Sequence, residues 1–407
     1  MAVLFPILAA IAALGTWRFL GDPKPIPLPY PAHNYGFAEV DPDTLPLDPA
    51  PLQGVYAPNT LLGQAHILFE GKVHAAETLV LSPEGHLLML DKYAYLHEAV
   101  PTGRPLPHAF ALRAQPLAYL GPGRPLGAQH DAAGNLVFAD GVRGLMMLEK
   151  GTQRLVTLSN RVSPDSQLDP GTPIAFANDL DISPTTGEVY FSQSQDIPVN
   201  VAPTGRVGDR PFFSIFHGFL FGMLSGDPTG RLLRYDPASG RTQALVRRLW
   251  YANGVALAAD ESFVAVAESV RARVMRHWLK GPKAGTTDVL IDRLPGFPDG
   301  ISRAPDGGFW VALVAPVTKL PHALRFLPLR VLLAYLPDWA RPPLEHWGGA
   351  LKISAEGEPL RFLHDPQGGA PGHVGFVSAV LETEDRLYFG NVAQSYVSVL
   401  DKKDLEL

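Results

Sequence analysis

The sequence predicts an all-β chain closed into a six-bladed β-propeller behind an apolar N-terminal helix. Three observations carry that expectation. A strand, tight turn, strand unit recurs six times, and the chain holds 39 Gly and 40 Pro among 407 residues. One position of the recurring unit also carries a side-chain oxygen in four of the six copies.

The recurring unit is a turn rich in Pro, Asp, Glu or Gly followed by a short apolar or aromatic run. Its copies are SPEGHLLML (82–90), DAAGNLVFAD (131–140), SPTTGEVYFSQ (183–193), AADESFVAVAES (258–269), APDGGFWVAL (304–313) and ETEDRLYFGN (382–391). Each turn follows another short apolar run, such as ETLVL, NDLDI, NGVALA or VSAVL, which is the pattern of a β-hairpin. The spacing leaves room for four strands per unit, with two intervals lengthened by insertions. Six such sheets closed in a ring leave only short, protected strand edges. The alternative is an irregular pair of β-sandwiches, for which six hairpins are also ordinary; the even recurrence and the oxygen-bearing position favour the ring.

Composition narrows the function classes. A hydrophobic content of 46% and a charged content of 18% are those of a chain with a substantial core, which excludes wholesale disorder. The absence of cysteine removes disulfides, thiolate metal sites and a cysteine nucleophile. A formal charge of −6, with no basic run, argues against a nucleic-acid partner.

Residues 1–20 read as an N-terminal membrane anchor or signal helix. Met1 to Trp17 carries no charge, Arg18 follows at once, and this length is near the lower limit for a membrane-spanning helix. No basic residue precedes the apolar run and no clear cleavage site follows it, so an uncleaved anchor is favoured over a signal peptide or a buried helix. The expected location is membrane-associated, with a secreted or periplasmic protein as the alternative. Residues 21–60 form a Pro-rich spacer and lead-in, and 61–407 the propeller, with insertions at 195–226 and 315–345. Within these, PFFSIFHGFLFGMLS (211–225) and KLPHALRFLPLRVLLAYLPDWARPP (319–343) are too apolar for solvated loops. They read as a lid over one face of the ring or as a bilayer contact.

Counting back from each turn to the start of the preceding strand, the one that lines a propeller's channel, gives Glu77, Leu126, Asn178, Asn253, Asp299 and Phe376 or Val377. Singly these are bland: Asn253-Gly254 and Asp299-Gly300 are turn dipeptides by default, and Asn178-Asp179 can cap a turn. Together, two carboxylates and two carboxamides in one narrow channel call for a hard cation. High, flexible oxygen coordination favours Ca²⁺ over Mg²⁺.

The stretches 123–148, 176–194, 230–242 (GRLLRYDPASGRT), 251–269, 277–285 (HWLKGPKAG) and 294–313 (LPGFPDGISRAPDGGFWVAL) resemble the strictosidine synthase-like propellers, the family of adipocyte plasma membrane-associated protein. These lie within the wider group of paraoxonases and gluconolactonases. The resemblance covers about residue 60 to the C-terminus. It implies a six-bladed propeller with calcium in the channel and Glu77, Asn178, Asn253 and Asp299 as its ligands; an N-terminal anchor is typical of the animal relatives. Two departures bear on activity. Ser378 stands where a true strictosidine synthase has its catalytic glutamate, which disfavours C–C bond formation. Leu126 stands near the position of the paraoxonase histidine. His130, His364 and His373 remain as candidate bases, with His373 nearest the sixth channel strand.

The function expected is a calcium-dependent hydrolase of esters or lactones with a hydrophobic substrate, with Asp299 or His373 activating water. No Gly-x-Ser-x-Gly elbow is present, which disfavours a serine esterase. The alternative is a membrane-tethered, non-catalytic propeller that binds a lipid or protein partner.

Overall fold

Short apolar runs between turn signals are buried on both faces when sheets stack radially, which is why strands such as Phe263–Glu268 and Leu136–Asp140 are buried along their whole length. The computed structural model describes residues 36–199, 205–207, 210–319, 322, 324–340 and 345–405. In it six antiparallel sheets form the blades of a propeller. Their innermost strands are Leu79–Leu81, Pro125–His130, Ala177–Ile182, Ala252–Leu257, Gly296–Arg303 and Val377–Glu382, for blades one to six. Every recurring turn joins the first and second strands of a blade.

The ring closes through blade six. Its outermost strand, His66–Leu68, comes from the N-terminal side and pairs with Val397–Asp401, with His66 opposite Val399 and Leu68 opposite Val397. Apolar layers fill the wedges between blades: Ala265, Phe309, Val311 and Leu351 pack between blades four and five, and Val137, Leu180, Phe191 and Leu233 between two and three. Each such fully buried Leu or Phe contributes about 1.5–3 kcal/mol.

The innermost strands are sheet edges, and side chains satisfy their free N–H groups from blade to blade. Asp179 and Asp181 of blade three accept from Val255 N and Leu257 N of blade four at 3.1 and 2.8 Å. Gln129 of blade two accepts from Ile182 N at 2.8 Å. These staples hold neighbouring blades in register where no ladder can.

The described parts of the two insertions meet. Helix α1 (Ile215–Ser225) ends at Gly226, whose φ of 76° suits a residue without Cβ. Helix α2 (Leu327–Tyr335) packs against it. The buried Arg330 of α2 donates through Nη1 to Leu224 O and Ser225 O, at 3.1 and 2.8 Å, and through Nη2 to Ala38 O at 2.6 Å. One guanidinium thus joins α1, α2 and the chain entering from the N-terminal side. Helix α1 rests on Phe176 and Tyr251, with Phe219 edge-on to Tyr251 at 4.9 Å, and α2 joins the same apolar cluster through Leu333 and Ala334, so the insertions form a lid over the face where the innermost strands begin. Among the described residues no helix is long and apolar enough to cross a membrane. The apolar segment 1–20 and the spacer to residue 35 lie outside the described residues.

Candidate functional site at the hub

Backbone irregularity, repeated around the ring, delivers the hub side chains. The register of the innermost strand shifts between Ala177 and Leu180, between Ala252 and Val255, between Pro298 and Ile301, and between Val377 and Ala379. Asn178, Asn253, Asp299 and Ser378 sit within those bulges, which bend a strand and re-aim a side chain. In blades one, four and six the residue two positions earlier, Ala75, Tyr251 or Phe376, has a positive φ. Asn253-Gly254 and Asp299-Gly300 therefore belong to strand bulges rather than turns. Their glycines are required by contact: a Cβ on Gly254 would lie 2.2 Å from Ile301 N, and one on Gly300 2.3 Å from Ser378 O.

Glu77, Asn178, Asn253 and Asp299 are all buried, at 5–7% exposure. Asn253 Nδ2 donates to Asp299 Oδ1 at 2.5 Å and to Ser269 Oγ at 3.2 Å. Asn178 Nδ2 donates to Ser194 Oγ at 2.9 Å. With both amide nitrogens committed, each Oδ1 is the polar atom left to face a ligand. Burial raises the Asp299 carboxyl well above its usual range, and the negative field of Glu77 adds to the shift. Burial also raises Glu77, against the lowering effect of Arg124, whose Nη2 lies 2.8 Å from Glu77 Oε1. Asp179 is pushed up to about 7, chiefly by burial, with Asp181 and Glu77 contributing.

Below this ring of polar groups the channel opens into a cavity of ≈ 340 Å³, lined from all six innermost strands and including Gln129, His130, Asp179, Asp181 and Arg303. Among the described residues no three His, Asp or Glu side chains group as ligands for an ion. The four hub side chains comprise two carboxylates and two carboxamides.

The remaining candidates lie elsewhere. His373, in the loop entering blade six, pairs through Nδ1 with the buried Asp365 at 3.0 Å. His364 stacks on Phe362 at 5.2 Å and beside Trp347, and burial lowers its pKa, as for a core histidine. His130 lines the cavity with both ring nitrogens unpartnered. Ser378 Oγ donates to Glu77 O at 2.9 Å, tying blade six to blade one. Leu126, at the oxygen-free position of blade two, belongs to the apolar layer beneath the lid. Sequence reasoning missed Arg124, two residues before Leu126, because a fixed offset from the turn lands on the leucine.

Comparison with known proteins agrees with this architecture. Residues 212–282 match the family model described as strictosidine synthase. Strictosidine synthase-like protein 3 of Arabidopsis thaliana is 34% identical over 69% of this chain and 66% of its own length. Strictosidine synthase-like protein 10 of the same plant is 34% identical over 69% of this chain and 70% of its own. Adipocyte plasma membrane-associated protein of Salmo salar is 28% identical over 89% of this chain and 84% of its own. Among solved structures, a gluconolactonase from Xanthomonas campestris superposes with a TM-score of 0.55 at 14% identity, over 88% of this chain and 97% of its own. A calcium-binding regucalcin from Agrobacterium tumefaciens superposes with a TM-score of 0.51 at 13% identity, over 84% and 95%. At such identities the likeness is one of fold. The chain belongs to the strictosidine synthase-like family.

Proposed function

We propose that the chain is a calcium-dependent hydrolase of esters or lactones that acts on a hydrophobic substrate at the hub. One observation supports the reading: Asn178, Asn253 and Asp299, carried by bulges in three blades, and Glu77, in the lead-in of a fourth, are all buried, with Asn253 bonded to Asp299 and Glu77 close enough to Asp299 for their charges to interact. Two carboxylates so placed repel each other, and a buried charge without compensation costs several kcal/mol. The donor chemistry fits a hard divalent ion, and two solved structures of the same fold are a gluconolactonase and a calcium-binding protein.

Ca²⁺ bound there would polarise a scissile carbonyl and stabilise the negative charge developing on its oxygen. Asp299, a buried carboxylate held by Asn253 and raised in proton affinity by burial, is the group proposed to take a proton from water. His373, oriented by Asp365, is the second candidate base. The lid of α1 and α2 supplies an apolar cover that excludes water from a hydrophobic substrate. Membrane association through residues 1–20 is part of the same proposal, supported by the exposed Phe326, Leu332, Tyr335 and Trp339 in and around α2, and by the name of the salmon relative.

A second reading, a tethered binder in which the ion only braces the ring, is favoured by the pairing of His373 with Asp365 rather than with a hub residue. The deciding experiment is turnover of a panel of aryl esters and lactones by the purified protein lacking residues 1–20, with and without a chelator. Activity lost on chelation and restored by Ca²⁺ supports the hydrolase. An absence of turnover, with only a lower melting temperature on chelation, supports the binder.

A further inference from the structure

We propose that Arg124 is a built-in cation of the hub, which shares Glu77 with the metal ion, weakens the hold on that ion, and keeps the ring folded when the ion leaves. The inference rests on the reading that the hub takes a divalent cation.

Arg124 is 2% exposed, among the most deeply buried large side chains of the molecule. It enters from the start of blade two, the blade whose oxygen-bearing position is filled by Leu126. Among the described residues it pairs through Nη2 with Glu77 Oε1 at 2.8 Å, while Nε and Nη1 are buried without a hydrogen-bond partner. A buried guanidinium is usually held by two parallel bonds or by several acceptors. This one is held through a single carboxylate oxygen. The arrangement neutralises Glu77 and leaves its second oxygen to another cation.

The charges explain why such a device is useful. Glu77, Asp179 and Asp299 stand close enough for their charges to couple, and Arg124 is the cation paired among them. A divalent ion and Arg124 together balance three carboxylates. Arg124 alone balances one, enough to keep Glu77 from being an uncompensated buried charge. The half-buried Lys92, its ammonium 4.5 Å from the Phe212 ring centroid, has its proton affinity lowered by burial and then by Arg124. The positive charge of Arg124, 2.8 Å from Glu77 Oε1, opposes a metal ion bound on the other side of Glu77.

The test compares the full chain with Arg124→Met and Arg124→Lys. Calcium affinity is measured by calorimetry or by competition with a chelating indicator, and thermal midpoints are measured in chelator and in excess CaCl₂. The methionine variant is expected to bind Ca²⁺ at least about tenfold more tightly. It should also melt lower in chelator and show the larger calcium-induced rise. The lysine variant, which keeps the charge, should fall between it and the parent. If the methionine variant folds only with calcium present, indicator competition still reads its affinity, and that dependence is itself the expected outcome. Equal or weaker calcium binding by the methionine variant overturns the role given to Arg124 and leaves the hub reading intact. No calcium binding by any of the three proteins overturns both.

Discussion

Asn253 and Asp299, on neighbouring blades and 46 residues apart, are joined by a hydrogen bond of 2.5 Å from Nδ2 to Oδ1. The bond aligns a carboxamide with a carboxylate whose proton affinity is raised, and it makes the two bulges one unit. Replacing Asp299 by Asn keeps the volume and removes the charge. The variant is expected to lose calcium-dependent turnover and at least about 100-fold in calcium affinity, while its melting temperature in chelator holds or rises. An unchanged hydrolysis rate would remove Asp299 from any catalytic role.

Gly254 tests the close approach of blades four and five. A methyl group there meets Ile301 N and Asp299 O at 2.2 and 2.5 Å, backbone atoms that cannot yield without moving a strand. Gly254→Ala is expected to destabilise by roughly 2–4 kcal/mol, at the upper end of single substitutions. Chemical denaturation measures it, and a loss below 1 kcal/mol would mean that the bulge can relax.

Stability of the metal-free protein should depend on pH with a definite sign. The Asp179 carboxyl is pushed up to about 7 in the folded chain, against 3.8. The folded state therefore holds a proton that the unfolded state releases between these values. This contribution is fully present below about pH 4 and lost as pH rises through 7. Burial raises Asp181, Glu77 and Asp299 as well, and these act in the same direction. Denaturation midpoints in chelator should fall from pH 5 to pH 8, and Asp179→Asn should flatten the fall, by a few kcal/mol at most. A midpoint that rises over this range would contradict the buried state of these carboxyls.

Arg330 holds the lid. Arg330→Met removes the donor serving Leu224 O, Ser225 O and Ala38 O and leaves three carbonyls without it, a local cost of about 2–4 kcal/mol. Limited proteolysis within 210–226 and 324–340 should accelerate at least tenfold, with little change in the melting of the blades. Unchanged cleavage would show that apolar packing alone seats the helices.

Much of this was legible from spacing. The six turns locate the first hairpin of every blade because two short apolar runs around a Pro, Asp or Gly cluster admit few other structures. The same periodicity picks out Asn178 and Asn253 at the second residue of their innermost strands, but it lands two residues before Leu79–Leu81 at Glu77 and inside Gly296–Arg303 at Asp299. Alternation misleads at the bulges. A regular strand would send Asn178 and Asp179 to opposite faces, whereas the shifted register leaves Asn178 in the hub and Asp179 lining the cavity below it. Arg124 was invisible for a related reason, since blade two delivers its polar group two residues earlier than the other blades do. The meeting of α1 with α2 depends on Arg330, whose acceptors lie 105, 106 and 292 residues away, a separation that local pattern does not span.

The route of the chain from Gly36 to blade six decides how a mechanical load would travel. Tension applied upstream of Gly36 reaches the Ala38 to Ser225 bond and the Arg330 grip before it reaches His66–Leu68, the three-residue seam that completes the circle. The cover thus doubles as strain relief: a tug on the leading end loosens the cap first and spares the joint on which the closed shape depends.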